Sequence, residues 1–193
     1  MLRLDVTDAE QIRAAGEAAS DVELVFNNAG VALARGIADS TVLDQARREM
    51  EVNYFGPLQL LQCLAPSLAR NGGGAIVNIG SAAGLTNVPF LPTYSASKAA
   101  LHSLTQSARI LLGAQGISVF GVYAGPVDTD MIRELSLPKT SPRDVAFAIL
   151  DGIEDGQEDI FPDPYAVDFG RQFESSPKAS ERQMAAMLSS SAA

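Results

Sequence analysis

At 193 residues the chain has the length of one domain and can bury a sizeable core, and its formal net charge of −9 argues against nucleic acid or an anionic membrane as a partner. No apolar run approaches the length of a transmembrane helix and the amino terminus has no signal-peptide pattern, so the expected compartment is the cytoplasm. Cys63 is the only cysteine and His102 the only histidine, which excludes an intrachain disulfide, a cysteine metal cluster and a multi-histidine metal site.

Residues 2–6, LRLDV, read as a short apolar strand, and Thr7 or Asp8 can cap a helix that runs to about residue 19. Residues 22–26, VELVF, form a second strand whose near-continuous apolar run predicts burial on both faces. Strand, helix, strand in that order predicts parallel strands joined by a right-handed crossover. Asn27-Asn28-Ala29-Gly30 then ends the second strand. Small residues there let a flat ligand approach the backbone, and taken alone they fit a plain turn equally well.

Residues 40–70 are helical, with Pro57 and Pro66 as candidate kinks. Asn53, in EVNYFGPLQLL, interrupts an apolar face; a buried amide there either satisfies backbone groups or serves chemistry. Cys63 reads as a packed helix residue rather than a nucleophile. Asn71-Gly72-Gly73-Gly74 turns into AIVNI, a third strand over residues 75–79; these glycines precede a strand and so are not a phosphate loop.

Ser81 follows at the carboxyl end of that strand, where open α/β sheets place their ligand crevice. The run TYSASKAALHSLTQSARILL predicts an amphipathic helix to about residue 112, with Tyr94 and Lys98 four residues apart on one face. A free tyrosine has a pKa of about 10, and a neighbouring ammonium lowers it. A serine hydroxyl could hold a carbonyl oxygen while Tyr94 exchanges its proton. Tyr-x-x-x-Lys alone is an ordinary helix-surface pair; the serine at the preceding strand end is what gives it chemical meaning. His102, one turn beyond Lys98, suits a structural or subunit-contact role.

ISVFGV, residues 117–122, is another buried strand and leads into AGPVDTDM at 124–131. Residues 132–140 form a short connection, and SPRDVAFAILDGIEDG opens with a cap and a first-turn proline before running helically to about residue 155. EDIFP, residues 158–162, is a last edge strand. Beyond it the pattern weakens: PYAVDFGRQF and KASERQMAAML are short helices, and the closing SSSAA is expected to be disordered. The chain therefore divides into a domain at 1–162 and a partly helical C-terminal extension at 163–193.

Ser81, Tyr94 and Lys98 at this spacing, with Asn53, the Asn-Asn-Ala-Gly turn and the Gly125-x-Val127-x-Thr129 segment, resemble the short-chain dehydrogenase/reductase family over roughly residues 1–160. The resemblance implies a three-layer, Rossmann-like α/β fold with a mostly parallel, doubly wound sheet. It implies a catalytic set of Asn53, Ser81, Tyr94 and Lys98, in which Asn53 holds a water that extends a proton relay from Lys98. It further implies cofactor contacts from Asp5 and Val6 to adenine, from Asn27, Ala29 and Gly30 along the cleft, from Tyr94 and Lys98 to ribose, and from Gly125, Val127 and Thr129 to the nicotinamide carboxamide. Ala124 departs from the family's usual proline and loosens that turn. The implied cofactor is NAD or NADP, the substrate a small carbonyl compound or secondary alcohol, and the assembly a homodimer or homotetramer packed through the helices that carry Asn53 and Tyr94.

The same resemblance exposes a gap. Dinucleotide-binding folds cradle pyrophosphate with a glycine-rich loop between the first strand and first helix, and no Gly-x-x-x-Gly-x-Gly occurs here. The sequence starts where the family pattern reaches its third strand, so about 50 to 60 residues of two βα units are missing from it, an N-terminal truncation. Residues 2–6 are then expected to slide across and pair in parallel with residues 22–26. Three functional expectations follow: an oxidoreductase of this family; a non-catalytic truncated relative acting as a binding or regulatory subunit; or a fragment whose Met1 is a misassigned start, with weak cofactor binding by the 193 residues alone.

Overall fold

Four parallel strands, β1 (Leu24–Asn27), β2 (Gly74–Ile79), β3 (Ile117–Val122) and β4 (Asp159–Ile160), form one sheet in sequential order. The computed structural model describes residues 2–33, 36–38, 40–134 and 136–191, with side chains through residue 186. Around the sheet lie seven helices among those residues: α1 (Ala9–Ala18), α2 (Val42–Met50), α3 (Gly56–Arg70), α4 (Pro92–Gly113), α5 (Pro142–Glu154), α6 (Pro164–Ser175) and α7 (Pro177–Ser191). A π-helical turn, Glu51–Phe55, joins α2 to α3 without a break.

Side-chain alternation along the strands divides the core between the two faces. On one face Ile76, Ile117 and Val119 pack with Ala65 and Leu68 of α3 and Ala108 and Leu112 of α4. On the other, Val77, Phe120, Val122 and Ile160 pack with Val145 and Ile149 of α5. These three layers and parallel strands are the doubly wound, Rossmann-like arrangement that the sequence predicts. Two predicted helix starts are built as read: Asp8 accepts from the backbone N–H groups of Glu10 and Gln11, and Ser141 accepts from that of Asp144.

The expected pairing of residues 2–6 with residues 22–26 is not found. Residues 2–6 form no strand, and β1 pairs with β2 alone among the described residues. The reason lies in the helical layer. Helix α1 packs on α3, and Val6 joins Ile12, Leu60 and Leu64 in one apolar cluster. A Cβ on Gly56 would fall 2.9 Å from Val6 Cγ2, so only glycine lets the chain come this close to the start of α3. Asp5 then turns the chain into α1, its Oδ1 accepting from the Thr7 N–H and hydroxyl. Anchored there, residues 2–5 stay exposed and outside the sheet. Leu24 and Phe26, in register with Ala75 and Val77 and so on the α5 face, are each 43% exposed. The second strand was expected to be buried on both faces, and it is buried on one.

Pro57 lies at the start of α3, inside the continuous α2–α3 rod, and Pro66 sits within α3 without ending it. Helix α7 reaches Ser191, into the closing segment for which disorder was expected, while Ala192 and Ala193 lie outside the described residues.

A buried polar chain runs across the carboxyl ends of the strands. Asn27 Nδ2 donates to Asn78 Oδ1 at 2.7 Å, Asn78 Nδ2 donates to Thr105 Oγ1 at 2.9 Å, and the Thr105 hydroxyl donates to the Leu101 carbonyl. It links β1, β2 and α4 where the sheet meets the site. Asn78→Ala leaves the buried Asn27 donor without its acceptor, and should lower unfolding free energy by about 2–4 kcal/mol, read as a shifted urea midpoint at unchanged slope.

Candidate active site

Ser81 lies two residues beyond β2 in extended conformation, where it caps a short 3₁₀ turn, Ala82–Gly84. Its Oγ accepts from the Ala83 N–H at 3.2 Å and donates to the Ala124 carbonyl at 3.3 Å. That turn rests directly on α4: a Cβ on Gly84 would fall 2.7 Å from the Lys98 carbonyl oxygen. The close approach sets Ser81 against the first turns of α4, where its hydroxyl faces the Tyr94 phenol. One helical turn on, the Lys98 ammonium lies 5.8 Å from the centre of the Tyr94 ring and donates to the Ile79 carbonyl at the end of β2, at 2.7 Å.

Burial dominates the ionisation of both groups. It pushes the Tyr94 phenol above its ordinary range; the Ser81 hydroxyl pulls the other way and the Glu49 carboxylate adds to the rise. Burial also brings Lys98 down to about 8. The sequence predicted a Tyr94 pKa lowered by Lys98. The direction is reversed because desolvation of the phenolate, with the Glu49 charge adding to it, outweighs the pull of Ser81, and the Lys98 ammonium is itself disfavoured by burial.

Asn53 is fully buried in the π turn. Pro57, four residues on, has no N–H to return to the Asn53 carbonyl, and the Gly56 N–H bonds instead to the Glu51 carbonyl, which widens the helix. The Asn53 side chain makes three hydrogen bonds. Its Oδ1 accepts from the Val31 N–H at 2.9 Å, and its Nδ2 donates to the Val31 carbonyl at 2.8 Å and to Ser97 Oγ at 2.9 Å. Ser97 in turn donates to the Tyr94 carbonyl at 2.7 Å. A Cβ on Gly30 would lie 3.4 Å from Asn53 Oδ1 and 3.5 Å from Lys98 Nζ, so the backbone at Gly30 is the wall beside the lysine.

The other predicted positions divide. Asn27 is committed to the sheet through Asn78; Ala29 and Asn28 are exposed, before Gly30. The Gly125 N–H donates to Asp163 Oδ2 at 2.7 Å. Val127 bridges in parallel to Thr140 through bonds made by Pro126 and Asp128, which leaves its own N–H directed to the opposite side. Thr129 is exposed and donates to the Val127 carbonyl. Asp5 and Val6 stand apart at the entry to α1, with the exposed Asp5 carboxyl held below its ordinary range by the Thr7 hydrogen bonds. His102 has a structural partner, its Nδ1 lying 2.6 Å from the Tyr123 hydroxyl.

Three contributors escaped the sequence reading. Ser97 ties Asn53 to α4, buried Asp163 joins Gly125 to the start of α6, and buried Glu49 accepts from the Leu33 N–H at 2.6 Å. Glu49 alone had a visible signal, since a charged residue four positions before Asn53 falls on the same helix face. Among the described residues no group of three or more His, Cys, Asp or Glu side chains could hold a metal ion, and no helix is long and apolar enough to cross a membrane.

A family model described as short chain dehydrogenase matches residues 1–139. The chain belongs to the short-chain dehydrogenase family. It is 34% identical over 131 residues to the uncharacterized oxidoreductase YusZ of Bacillus subtilis (strain 168), covering 66% of this chain and 46% of that protein. To human (Homo sapiens) 17-beta-hydroxysteroid dehydrogenase type 1 it is 33% identical over 136 residues, covering 69% and 41%. The chain thus spans less than half the length of these two relatives. Among solved structures, a short chain dehydrogenase from Burkholderia cenocepacia J2315 in complex with NADP superposes with a TM-score of 0.91 at 33% identity, over 95% of this chain and 80% of that one. A short-chain dehydrogenase from Sphingobium yanoikuyae in complex with NADPH gives 0.75 at 27% identity, over 91% and 74%.

Buried Lys98 lowers the stability of the fold at neutral pH. A fall from 10.5 to about 8 corresponds to about 3 kcal/mol at neutral pH. Because the folded pKa is the lower one, the penalty is full below pH 8 and fades as pH rises toward 10.5. Lys98→Met, which also loses the bond to Ile79, should therefore raise unfolding free energy by about 1–3 kcal/mol at pH 7. That advantage should shrink between pH 8 and 10.5 in denaturation series at stepped pH.

Proposed function

We propose that this chain carries the proton-transfer site of a nicotinamide-dependent oxidoreductase that interconverts small carbonyl compounds and secondary alcohols. The supporting observation is the convergence of Ser81, Tyr94 and Lys98 at the carboxyl end of β2, with Asn53 tied to the same helix through Ser97. A nicotinamide cofactor would supply the hydride. The chain's own residues do the rest. Ser81 and Tyr94 together hold the substrate oxygen, and the Tyr94 hydroxyl gives up or takes the proton there. Lys98 holds a ribose and supplies positive charge beside the phenol. The Asn53 main-chain carbonyl meets no N–H from Pro57 four residues on, so it is the group that would anchor a water behind Lys98.

The nicotinamide end fits a cofactor better than the other end does. The free side of the Val127 backbone and the Gly30 wall beside Lys98 support that reading, whereas Asp5 and Val6 are turned into the start of α1. Within the 193 residues no glycine-rich loop opens a helix to take a pyrophosphate, which favours weak binding of NAD or NADP and leaves the choice between them open. The solved relatives with NADP and NADPH favour the phosphorylated cofactor. That poor fit also supports a second reading, a non-catalytic relative serving as a binding or regulatory subunit.

The C-terminal helices would shape the substrate end. Phe169 and Met184 pack on Ala82 and Leu85, immediately after Ser81. Self-association is proposed along α2, where Leu43, Ala46, Met50 and Phe55 line an open apolar groove with Arg47 and Glu51 at its edge. The acidic charge and single cysteine support a cytoplasmic setting.

The deciding experiment titrates the chain with NADPH and with NADH by cofactor fluorescence, then assays ketone reduction near saturation. In Tyr94→Phe, kcat should fall at least about 10²-fold while the cofactor Kd stays within about threefold. Unchanged turnover in that variant would remove Tyr94 from the mechanism; saturable binding with no turnover in the parent chain would favour the binding subunit.

A further inference from the structure

Glu49 is fully buried in the last turn of α2, one helical turn before Asn53, so the two side chains leave the same face of a continuous helix. Both reach the same stretch of chain. Asn53 takes the N–H and the carbonyl of Val31, and Glu49 takes the N–H of Leu33 at 2.6 Å. Backbone groups two residues apart point to one side only when the segment between them is extended. Residues 31–33 are accordingly laid along the helix as if along the edge of a sheet, with side chains substituting for a neighbouring strand. Gly30, just before this stretch, forms the wall beside Lys98.

We propose that Glu49 is a positioning residue of the site: together with Asn53 it clamps residues 31–33 to α2, and so holds the Gly30 backbone against Lys98. This inference rests on the reading of Tyr94 and Lys98 as the proton-transfer pair. Asn53 alone fixes only Val31, which leaves the chain free to pivot about that residue. The second bond, two residues away, removes the pivot.

The acceptor is moreover a carboxylate, and its placement has a second consequence. Burying a carboxylate is expensive even with partners, and here the charge falls beside the helix that carries Tyr94, since α2 packs on α4. Tyr94 is faced by Ser81 from the end of β2, by Lys98 from its own helix and by Glu49 from α2. Of the two charges, that of Glu49 opposes phenolate formation and so helps keep Tyr94 protonated. One side chain thus performs two separable tasks, a bond to the loop and a charge behind the phenol.

The two tasks separate in two variants of the full chain. Glu49→Gln keeps an acceptor and removes the charge; Glu49→Leu removes both. Hydrogen exchange at the Leu33 amide should accelerate about tenfold or more in Glu49→Leu and stay within about threefold of the parent in Glu49→Gln. Tyr94 ionisation, read as phenolate absorbance after subtracting the same titration of Tyr94→Phe, should begin at lower pH in Glu49→Gln than in the parent. Unchanged Leu33 exchange in Glu49→Leu overturns the clamp, and an unmoved Tyr94 titration in Glu49→Gln overturns the electrostatic role. If Glu49→Leu fails to fold, Glu49→Ser, which is too short to reach Leu33, serves the exchange arm. Neither readout requires turnover, so a Tyr94 that proves unnecessary for catalysis would be seen separately in the Tyr94→Phe assay.

Discussion

The buried side chain of Asn53 is the constraint on which the rest of the site depends. Its three hydrogen bonds reach the loop after β1 at Val31 and the first turns of α4 through Ser97. It can do so because the helix carrying it widens into a π turn, and the helix widens where Pro57 withholds an N–H. A two-atom defect in the backbone ladder therefore fixes how the loop beside Lys98, the helix of Tyr94 and the α2–α3 rod are placed relative to one another. Buried amides are stringent in this role: each unmet bond would cost about 1–3 kcal/mol, so the arrangement that meets all of them is strongly preferred over near alternatives.

Most of the fold was legible because the strands announce themselves. AIVNI and ISVFGV are apolar runs bounded by glycine and polar residues, and they became β2 and β3 with nearly the predicted bounds. Residues 2–6 failed for the opposite reason. LRLDV carries a local strand pattern, but pairing is decided by where the following helix is packed, and Gly56 with Val6 settles that in the helical layer. The exposed faces of Leu24 and Phe26 follow from the same event: a both-face apolar run says what a strand can bury, and only the neighbouring elements decide what is covered.

The site was legible where side-chain chemistry and spacing coincide, as for Ser81, Tyr94 and Lys98. It was not legible where a residue acts through the backbone of a distant segment. Ser97, Asp163 and Glu49 each hold a main-chain group or bridge to one, and nothing in the residue types nearby marks Val31, Leu33 or Gly125 as their partners. The ionisation of Tyr94 was misread for a related reason. From sequence, only the charge four residues away is visible; the burial that outweighs it comes from the whole fold.

That reversal bears on which direction of the proposed reaction the protein favours. A phenol held above its ordinary range is almost entirely protonated at neutral pH, which suits delivery of a proton to an oxygen that is gaining charge. Alcohol oxidation asks the reverse, a phenolate ready to accept, and here that form is opposed by burial and by Glu49, with Ser81 favouring it. Lys98 could tip the balance only as an ammonium, and above pH of about 8 it is increasingly neutral. Raising the pH to promote phenolate therefore also removes the cation that would stabilise it. The two titrations oppose one another, so raising the pH cannot by itself give this chain a phenolate beside an ammonium: the change that forms one removes the other.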